Sequence, residues 1–492
     1  MKQQSLIKNS IILLIKNIIT IAAPMVMYKY AAIKLGIANV GAVEFVKSLN
    51  SYFLLIAMMG INTFAIRECS KVRDNQKAIV HIASQLYAIS IVTTLFSYIV
   101  LFLLVTFVEF LYPYKKLIYI YSLSIPLTTY GLEWVYNIFE DFATIALSTI
   151  VCEFIAVIGV ILFVRSDQNI AIYTFLLMIA ANGYDICTHF QARKHVRLTP
   201  HLSRESYQYF KPIAIIFFTN VASVIYTNAD ITMLGWLRGD SEVGVYSAAV
   251  KIYNVIHVMV SVGITVVIPR LTQYLHNSSC NRTEDSYYTL LNKIVRAFYI
   301  FVIFSSSTCV LYGRDMILFI SGEEFTSAIK PLTVLAITLL FATGNMIIGS
   351  AILIPTDREK VILKATIAGA VLNLVLNLVF ISRWGFYGAA ITTLISEFLV
   401  FVITVYSSQN VLKNLRISLV RDVMPLTIGL FSNVAIYSVV KFMHWNSKYK
   451  FIFAVIISAW LYYSTHFIFR NEIVKEVNSF LWGNIKVKNK KS

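Results

Sequence analysis

Two stretches of the chain share one pattern: residues 40–67 read VGAVEFVKSLNSYFLLIAMMGINTFAIR and residues 243–270 read VGVYSAAVKIYNVIHVMVSVGITVVIPR. Each stretch begins with Val-Gly, carries Gly-Ile at the same distance further on, and ends in Arg. Each is long and apolar enough to cross the roughly 30 Å hydrocarbon core of a bilayer as a helix. Small residues recur in membrane helices generally, but the matched spacing of three features favours an internal repeat.

The composition of the whole chain supports a membrane protein. Its 492 residues are 58% hydrophobic and only 14% charged, and the mean hydropathy is +0.71. A soluble domain of this length cannot bury so much apolar surface. In lipid every backbone polar group must be satisfied internally, and the apolar runs here are continuous instead of alternating as barrel strands do. We expect an all-α, polytopic membrane protein.

The hydrophobic pattern predicts fourteen spans in short succession. Because the repeat pairs the second span with the eighth, we expect two six-helix lobes, residues 1–205 and 206–410. Residues 411–492 would add two further spans and a basic cytoplasmic tail. Since six is even, the lobes should be related by a pseudo-twofold axis along the membrane normal, as in transporters with parallel repeats. The predicted segments are about 10–33, 43–66, 81–108, 117–139, 143–165, 169–188, 209–237, 244–269, 293–320, 327–354, 360–382, 386–409, 423–443 and 450–470.

The net charge of +17 follows the positive-inside pattern. With the N-terminus in the cytoplasm, most of the 42 Lys and Arg residues fall in loops on that side. We therefore expect both termini in the cytoplasm, and we expect no nucleic-acid partner. The five cysteines lack a CxxC spacing and indicate neither disulfides nor a metal site. No phosphate-binding Gly-rich motif occurs, which excludes ATP as the driving ligand.

Polar side chains within the spans are the candidate pathway residues, because ionisable groups there are costly. Asp230 and Lys251 lie at similar predicted depth in adjacent antiparallel spans, so the two can pair. Asn254, His257 and Ser261 continue a polar stripe from Lys251. The Lys-x-x-Asn of this stripe recurs in the first half, as Lys47 and Asn50. The stripe is consistent with a hydrated central cavity or with a packed polar seam between helices.

Several other ionisable residues complete the candidate set. Glu153 and Glu397 fall near mid-membrane, where a carboxyl is suited to proton coupling or to bonding a neighbouring helix in its neutral form. Glu133 is expected near the inner mouth, beside Trp134 as an interface anchor. Side chains near span ends can instead snorkel to the interface. That alternative applies to Lys16, Arg296, Asp185, Glu44 and Lys29, although Lys29 is kept as a pathway candidate.

A resemblance to a known family is carried by residues along most of the chain. The most specific matches are residues 210–212, 226–230, 233–235, 239–251 and 268–271, with 35–36, 60–61, Arg67, 131–134 and 140–142 in the first half. In these positions the chain resembles the Wzx-type oligosaccharide flippases of the multidrug/oligosaccharidyl-lipid/polysaccharide exporter superfamily. Asn137-Ile138-Phe139 departs from the family pattern, which puts in doubt a detailed role for the inner end of the fourth span.

The resemblance implies transport without enzymatic chemistry. Family members move an undecaprenyl-diphosphate-linked oligosaccharide across the bacterial inner membrane for O-antigen or capsule synthesis, beside polysaccharide polymerase and chain-length proteins. No resident cofactor is expected. Coupling to an H⁺ or Na⁺ gradient is expected, with Asp230, Glu153 or Glu397 as carriers. A lipid II flippase and a multidrug exporter of the same superfamily are the alternatives. A membrane polymerase or glycosyltransferase would need large outer loops, which the sequence lacks.

Overall fold

A computed structural model describes residues 3–194, 196–276, 281–415, 418–442 and 450–469. Within these ranges the chain is helical and contains no strand, so the all-α prediction is confirmed. The helices are α1 (Gln3–Met58), α2 (Ile61–Lys71), α3 (Gln76–Phe107), α4 (Lys115–Ser122), α5 (Ser124–Gly131), α6 (Glu133–Phe139), α7 (Phe142–Phe163), α8 (Ile170–Asn182), α9 (Tyr184–Ala192), α10 (Tyr207–Arg238), α11 (Asp240–His276), α12 (Asn281–Ile320), α13 (Ile329–Ile347), α14 (Glu359–Ser407), α15 (Gln409–Leu412), α16 (Met424–Phe442) and α17 (Lys450–Ile468).

The chain forms two compact units. Unit 1 comprises Met1–Ser247, Ile320–Glu324 and Asn377–Phe386, and unit 2 comprises Ala248–Phe319, Phe325–Leu376 and Tyr387–Ser492. The lobe boundaries that the sequence predicts, at residues 205 and 410, stay a prediction. The basic tail after residue 469, Cys280 and the loop at 443–449 lie outside the described residues.

Eleven helical segments of the described ranges are long and apolar enough to cross a membrane, fewer than the fourteen predicted spans. Two of them are too long for one crossing: α1 has 56 residues and α14 has 49, about 84 and 74 Å at 1.5 Å per residue. Each breaks at a glycine, Gly36 (φ 78°, ψ 173°) and Gly385 (φ 56°, ψ −134°). These backbone angles are open essentially to glycine alone. α1 and α14 thus each contain two of the predicted spans.

The fourth predicted span, residues 117–139, is three short helices instead of one. α4 ends at Ser122 because Pro126 has no N–H for the Ser122 carbonyl, which accepts the Tyr98 hydroxyl at 2.6 Å instead. A second break lies at Leu132, whose φ of 55° is left-handed. Helices of seven and eight residues are too short to be recognised as a span. This accounts for the rest of the difference in number.

The interior of unit 1 is apolar at the end where α2 meets α3, which we call the Arg73 end because Arg73 binds Glu140 there at 2.8 Å. Ile61, Phe64 and Tyr136 belong to its buried cluster. Trp134 also lies in this cluster, with 3% of its surface exposed, so its predicted role as an interface anchor is wrong. On the outside of α3 and α7, apolar side chains such as Leu95 and Phe154 are more than half exposed, as a lipid-facing surface requires.

Unit 2 joins the last two helices to α12. Tyr312 of α12 packs with Phe451 and Ala454 of α17 in a buried cluster. Earlier in the same helix, Arg296 forms an ion pair with Asp422 at 3.2 Å. Only 15% of the Arg296 side chain and 10% of the Asp422 side chain are exposed. Arg296 therefore does not snorkel, contrary to the sequence-based alternative. The pair ties the turn before α16 to α12.

The internal repeat is present in the backbone. Gly239 precedes Val243-Gly244 as Gly36 precedes Val40-Gly41, and it adopts the same conformation, with φ 88° and ψ 179°. Both glycines end one apolar helix and begin the next. The repeat is imperfect further on, because Gly60 is left-handed and separates α1 from α2, whereas its counterpart Gly263 lies inside α11.

Candidate functional site

The two repeat helices cross at a glycine pair inside unit 1. A Cβ on Gly41 would lie 1.8 Å from the carbonyl oxygen of Asp240, and a Cβ on Gly244 would lie 2.2 Å from the carbonyl oxygen of Ile37. The contact is reciprocal, because Ile37 and Asp240 each stand four residues before the glycine of their own helix. A local twofold relation between the helix starts thus follows from the contacts themselves, as it does at isologous interfaces.

Carboxylates from distant parts of the chain cap the helix starts at this end, which we call the Gly36 end. Glu324 Oε2 accepts a hydrogen bond from the Ile37 N–H at 3.3 Å, directly after Gly36. Glu242 Oε2 accepts one from the Phe386 N–H at 2.8 Å, directly after Gly385. Negative charge at a helix N-terminus is favourable, since the first N–H groups have no partner within the helix. The Gly36 end is therefore closed by two charge-assisted caps and a glycine crossing.

Tyr114 adds a further contact at the Gly36 end. Its hydroxyl donates to Asp240 Oδ1 at 2.7 Å. Burial, together with the neighbouring Asp240 carboxylate, raises the pKa of the Tyr114 hydroxyl above its usual range, which keeps it a hydrogen-bond donor. The turn before α4 is thereby fixed to the start of α11.

Asp230, the acidic residue that the sequence singled out, is buried within unit 1 with 7% of its surface exposed. Its Oδ2 accepts the hydroxyl of Tyr246 at 2.8 Å, and its Oδ1 accepts the amide of Asn377 at 2.7 Å. Sequence reasoning missed both partners. A signal for Asn377 was available, because Asn373 and Asn377 stand one helical turn apart in an otherwise apolar run.

The predicted Lys47 and Asn50 occupy different surroundings. Lys47 Nζ forms an ion pair with Glu44 at 3.0 Å one helical turn away, and Glu44 is 7% exposed. Glu44 is thus a buried partner of a lysine and not a snorkelling side chain, so that expectation is wrong. Asn50 is buried and donates to Ser124 Oγ at 2.9 Å. Between these residues, Ser48 Oγ lies 2.6 Å from Thr232 Oγ1, which makes a polar seam between α1 and α10.

The Lys251 stripe lies in unit 2, whereas Asp230 lies in unit 1, so their predicted pairing stays a prediction. Lys251 is half-buried and Asn254 is exposed. His257 stacks on Tyr253 with ring centroids 5.6 Å apart. Lys29, the remaining basic candidate, is half-buried in α1 of unit 1.

The two glutamates that the sequence predicts near mid-membrane differ in their contacts. Glu397 Oε2 accepts the Asn345 amide at 2.6 Å within unit 2. Glu153 is 4% exposed, and its Oε2 has no hydrogen-bond partner among the described residues. Proton coupling by either residue stays a prediction.

Glu133 lies at the start of α6, after the break at Leu132. Its Oε2 accepts the Tyr184 hydroxyl at 3.0 Å. The neighbouring Asp185 was expected to snorkel, but it is completely buried, so that expectation is wrong. In the described part of the chain no three His, Cys, Asp or Glu residues are grouped as a metal site would require.

Comparisons with known proteins agree with this architecture. The sequence profile of the polysaccharide biosynthesis protein family matches residues 6–275. A putative O-antigen transporter of Escherichia coli K12 is 24% identical over 77% of this chain and 90% of its own length. A probable low-salt glycan biosynthesis flippase of Haloferax volcanii is 25% identical over 36% of this chain, which spans only 37% of that relative's length.

Two solved structures share the fold. A lipid II flippase, MurJ, in an inward closed conformation superposes with a TM-score of 0.71 and 16% identity, over 97% of this chain and 99% of its own. An inward-facing multidrug transporter of the MATE family superposes with a TM-score of 0.61 and 15% identity, over 80% and 94%. The predicted superfamily resemblance is confirmed. The chain is a polytopic helical membrane protein that belongs to the polysaccharide biosynthesis protein family and has the fold of this exporter superfamily.

Proposed function

We propose that the protein moves undecaprenyl-diphosphate-linked oligosaccharides from the cytoplasmic to the outer leaflet of a bacterial inner membrane, for O-antigen or capsule synthesis. The observation that carries the proposal is the family match over residues 6–275. The O-antigen transporter of Escherichia coli and the fold shared with a lipid II flippase support it. The chain acts as a transporter and not as an enzyme, with the polysaccharide polymerase and chain-length proteins acting on the delivered lipid.

The transport mechanism is alternating access, in which the Gly36 end is the outer gate. The positive-inside distribution of Lys and Arg supports an outer position for this end. With the glycine crossing and both glutamate caps in place, unit 1 is in the state that loads substrate from the inside. Release requires the two repeat helices to part at Gly41 and Gly244. Packed interfaces of this kind switch between discrete arrangements instead of deforming gradually.

A polar path must replace water around the substrate head group, since sugars and a diphosphate cannot enter hydrocarbon without a large solvation cost. Lys251 supplies positive charge for the diphosphate, with Asn254 and His257 beside it on the same stripe. Lys47 contributes when it leaves Glu44, its partner at 3.0 Å. The polyprenyl tail stays in the lipid, where the exposed apolar faces of the helices meet it.

An ion gradient drives the cycle, and Asp230 is the proposed carrier. Its two carboxylate oxygens are held by Tyr246 and Asn377 at 2.8 and 2.7 Å, and these three residues come from α10, α11 and α14. A proton or Na⁺ that binds Asp230 changes this set of hydrogen bonds, which connects ion occupancy to the packing of the three helices.

The second candidate function is a lipid II flippase, which the structural likeness to MurJ over 97% of the chain favours. A gene deletion distinguishes the two functions in the cell. Deletion of the gene should cause lipid-linked repeat units to accumulate on the cytoplasmic leaflet while peptidoglycan synthesis continues. Restoration of surface polysaccharide by the wild-type gene completes the test. Loss of peptidoglycan precursor export, with polysaccharide intact, would contradict the proposal and support the second candidate.

A further inference from the structure

Asp185 is a buried acidic residue of unit 1 to which the proposed transport mechanism assigns no role. It lies in the first turn of α9 and is 0% exposed. Neither Oδ1 nor Oδ2 has a hydrogen-bond partner in the described part of the chain. A buried carboxylate ordinarily accepts several hydrogen bonds or pairs with a cation. The Asn182 side chain lies close enough to act on the Asp185 carboxyl, but neither oxygen has the several hydrogen bonds or the cation that a buried carboxylate ordinarily has.

The Asp185 carboxyl points at the break in the fourth span. A Cβ on Gly131 would lie 1.9 Å from Asp185 Oδ1, so the oxygen rests directly on the Gly131 backbone. Gly131 is the last residue of α5, and the left-handed Leu132 follows it. The nearby Thr188 hydroxyl donates to the Gly131 carbonyl at 2.8 Å and not to the carboxyl. Two helix interruptions, Leu132 and the turn at Gly183 between α8 and α9, thus meet at this carboxyl.

Polar groups around Asp185 are engaged with one another. The Asn182 amide donates to Thr128 Oγ1 at 2.8 Å, and the Tyr184 hydroxyl donates to Glu133 at 3.0 Å. Glu133 also lies close enough for its charge to act on Asp185. No Lys or Arg is among the described neighbours of this carboxyl. The titratable groups whose electrostatics act on Asp185, or are acted on by it, are Glu133 of α6, Cys152 of α7 and Tyr184 of α9.

We propose that Asp185 is a proton-binding site of the transport cycle: it holds a proton while the Gly36 end is closed and releases it when the breaks at Leu132 and Gly183 rearrange. This proposal rests on the proposed transport function. A bare carboxylate in this surrounding would be desolvated and would face a second negative charge at Glu133. A proton removes both penalties.

Infrared spectroscopy of the full-length protein in lipid nanodiscs at neutral pH tests the site directly. The wild type should show a protonated-carboxyl band that shifts when the protein contains isotope-labelled aspartate. Asp185→Asn should remove this band, whereas Asp74→Asn, at an exposed turn residue, should leave it intact. Gly131→Ala, which presses a methyl group on Oδ1, should shift the band without removing it, and this variant serves if Asp185→Asn fails to fold.

Two results of the infrared experiment would overturn the proposal. If the band is absent from the wild type, or persists unchanged in Asp185→Asn, no proton resides on this residue. If sodium chloride abolishes the wild-type band while potassium chloride does not, the site is a sodium site. The spectra need no transport substrate, so they stand even when the proposed lipid substrate proves wrong.

Coupling is tested by proton movement in proteoliposomes that contain a pH-sensitive dye. Addition of the lipid-linked oligosaccharide should move protons with the wild type and with Asp74→Asn, and at least tenfold more slowly with Asp185→Asn. Normal proton movement in Asp185→Asn would overturn the coupling role. Absence of any substrate-induced signal in the wild type would instead count against the proposed function.

Discussion

Substitution of Gly41 by alanine should prevent the Gly36 end from closing. The added methyl carbon would lie 1.8 Å from the Asp240 carbonyl oxygen and 2.8 Å from the Gly244 nitrogen. Both neighbours are backbone atoms, so no side chain can rotate away, and the helices must separate by about 1.6 Å to reach ordinary contact near 3.4 Å. Overpacking of this kind costs about 1–3 kcal/mol. At 1.4 kcal/mol per factor of ten, the ratio of closed to open molecules should fall by roughly 5- to 150-fold.

Spin labels report this separation directly. Ala38 and Ser241 stand two residues after the equivalent glycines Gly36 and Gly239, and both are exposed. We expect the distance between labels at these positions, in a cysteine-free background, to show one short population in the wild type. Gly41→Ala should add a longer population and reduce surface polysaccharide in a complemented deletion strain.

Gly349→Ala is the matched control for this prediction, because a Cβ there finds its nearest neighbour at 3.6 Å, an ordinary contact. It should leave the label distance and the export unchanged. If Gly41→Ala keeps the wild-type distance distribution and full export, the glycine crossing does not form part of the outer gate.

Three further predictions concern contacts beyond the glycine crossing. Glu242→Ala should lengthen the distance between the two spin labels because the Phe386 N–H loses its acceptor. Glu242→Gln keeps an acceptor and should weaken closure by only about 0.3–1 kcal/mol. Equal label distances in the two variants would contradict the capping role. Asp230→Asn should abolish ion-driven export, while Tyr246→Phe, which removes the hydrogen bond to Asp230 Oδ2, should only reduce it. Full export by Asp230→Asn would refute the carrier role. Asp422→Asn should lower stability by about 3–5 kcal/mol because it removes the carboxylate that Arg296 contacts at 3.2 Å. A combined Arg296→Met, Asp422→Asn variant should recover part of this loss in thermal unfolding. A loss below about 1 kcal/mol in the single variant would show that the pair is solvated.

The sequence predicted the helical class and the repeat because both depend on local pattern. Apolar runs of sufficient length identify membrane helices, and the glycines of the repeat indicate that two backbones approach each other closely. The equivalence of Gly36 and Gly239 was therefore accessible from the matched spacing of the residues that follow them. The number of continuous helices could not be predicted from the sequence. One helix, α1, continues through the break at Gly36, and the fourth predicted span, which is broken at Leu132, forms three short helices.

The contacts of the site could be predicted only where the partners are close in sequence. The ion pair between Glu44 and Lys47 follows the i, i+3 spacing of a helix, and this signal outweighs the snorkelling interpretation. The caps at Ile37 and Phe386 could not be predicted, because Glu324 and Glu242 reach them from distant segments. Asp185 illustrates the same limit. Its position near a span end favoured snorkelling, but Gly131 leaves space for its carboxyl inside the unit.

We propose that this chain carries an anionic lipid head group across the membrane. The most direct test of this proposal is a flipping assay with purified protein in liposomes that contain a fluorescent undecaprenyl-diphosphate-linked oligosaccharide on one leaflet. We expect the wild type to move the fluorescent head group to the opposite leaflet, where a membrane-impermeant quencher reaches it, and Gly41→Ala to do so far more slowly. The transport function would be contradicted if quenching is no faster than in protein-free liposomes. This result must hold in repeated preparations of folded protein with an ion gradient applied.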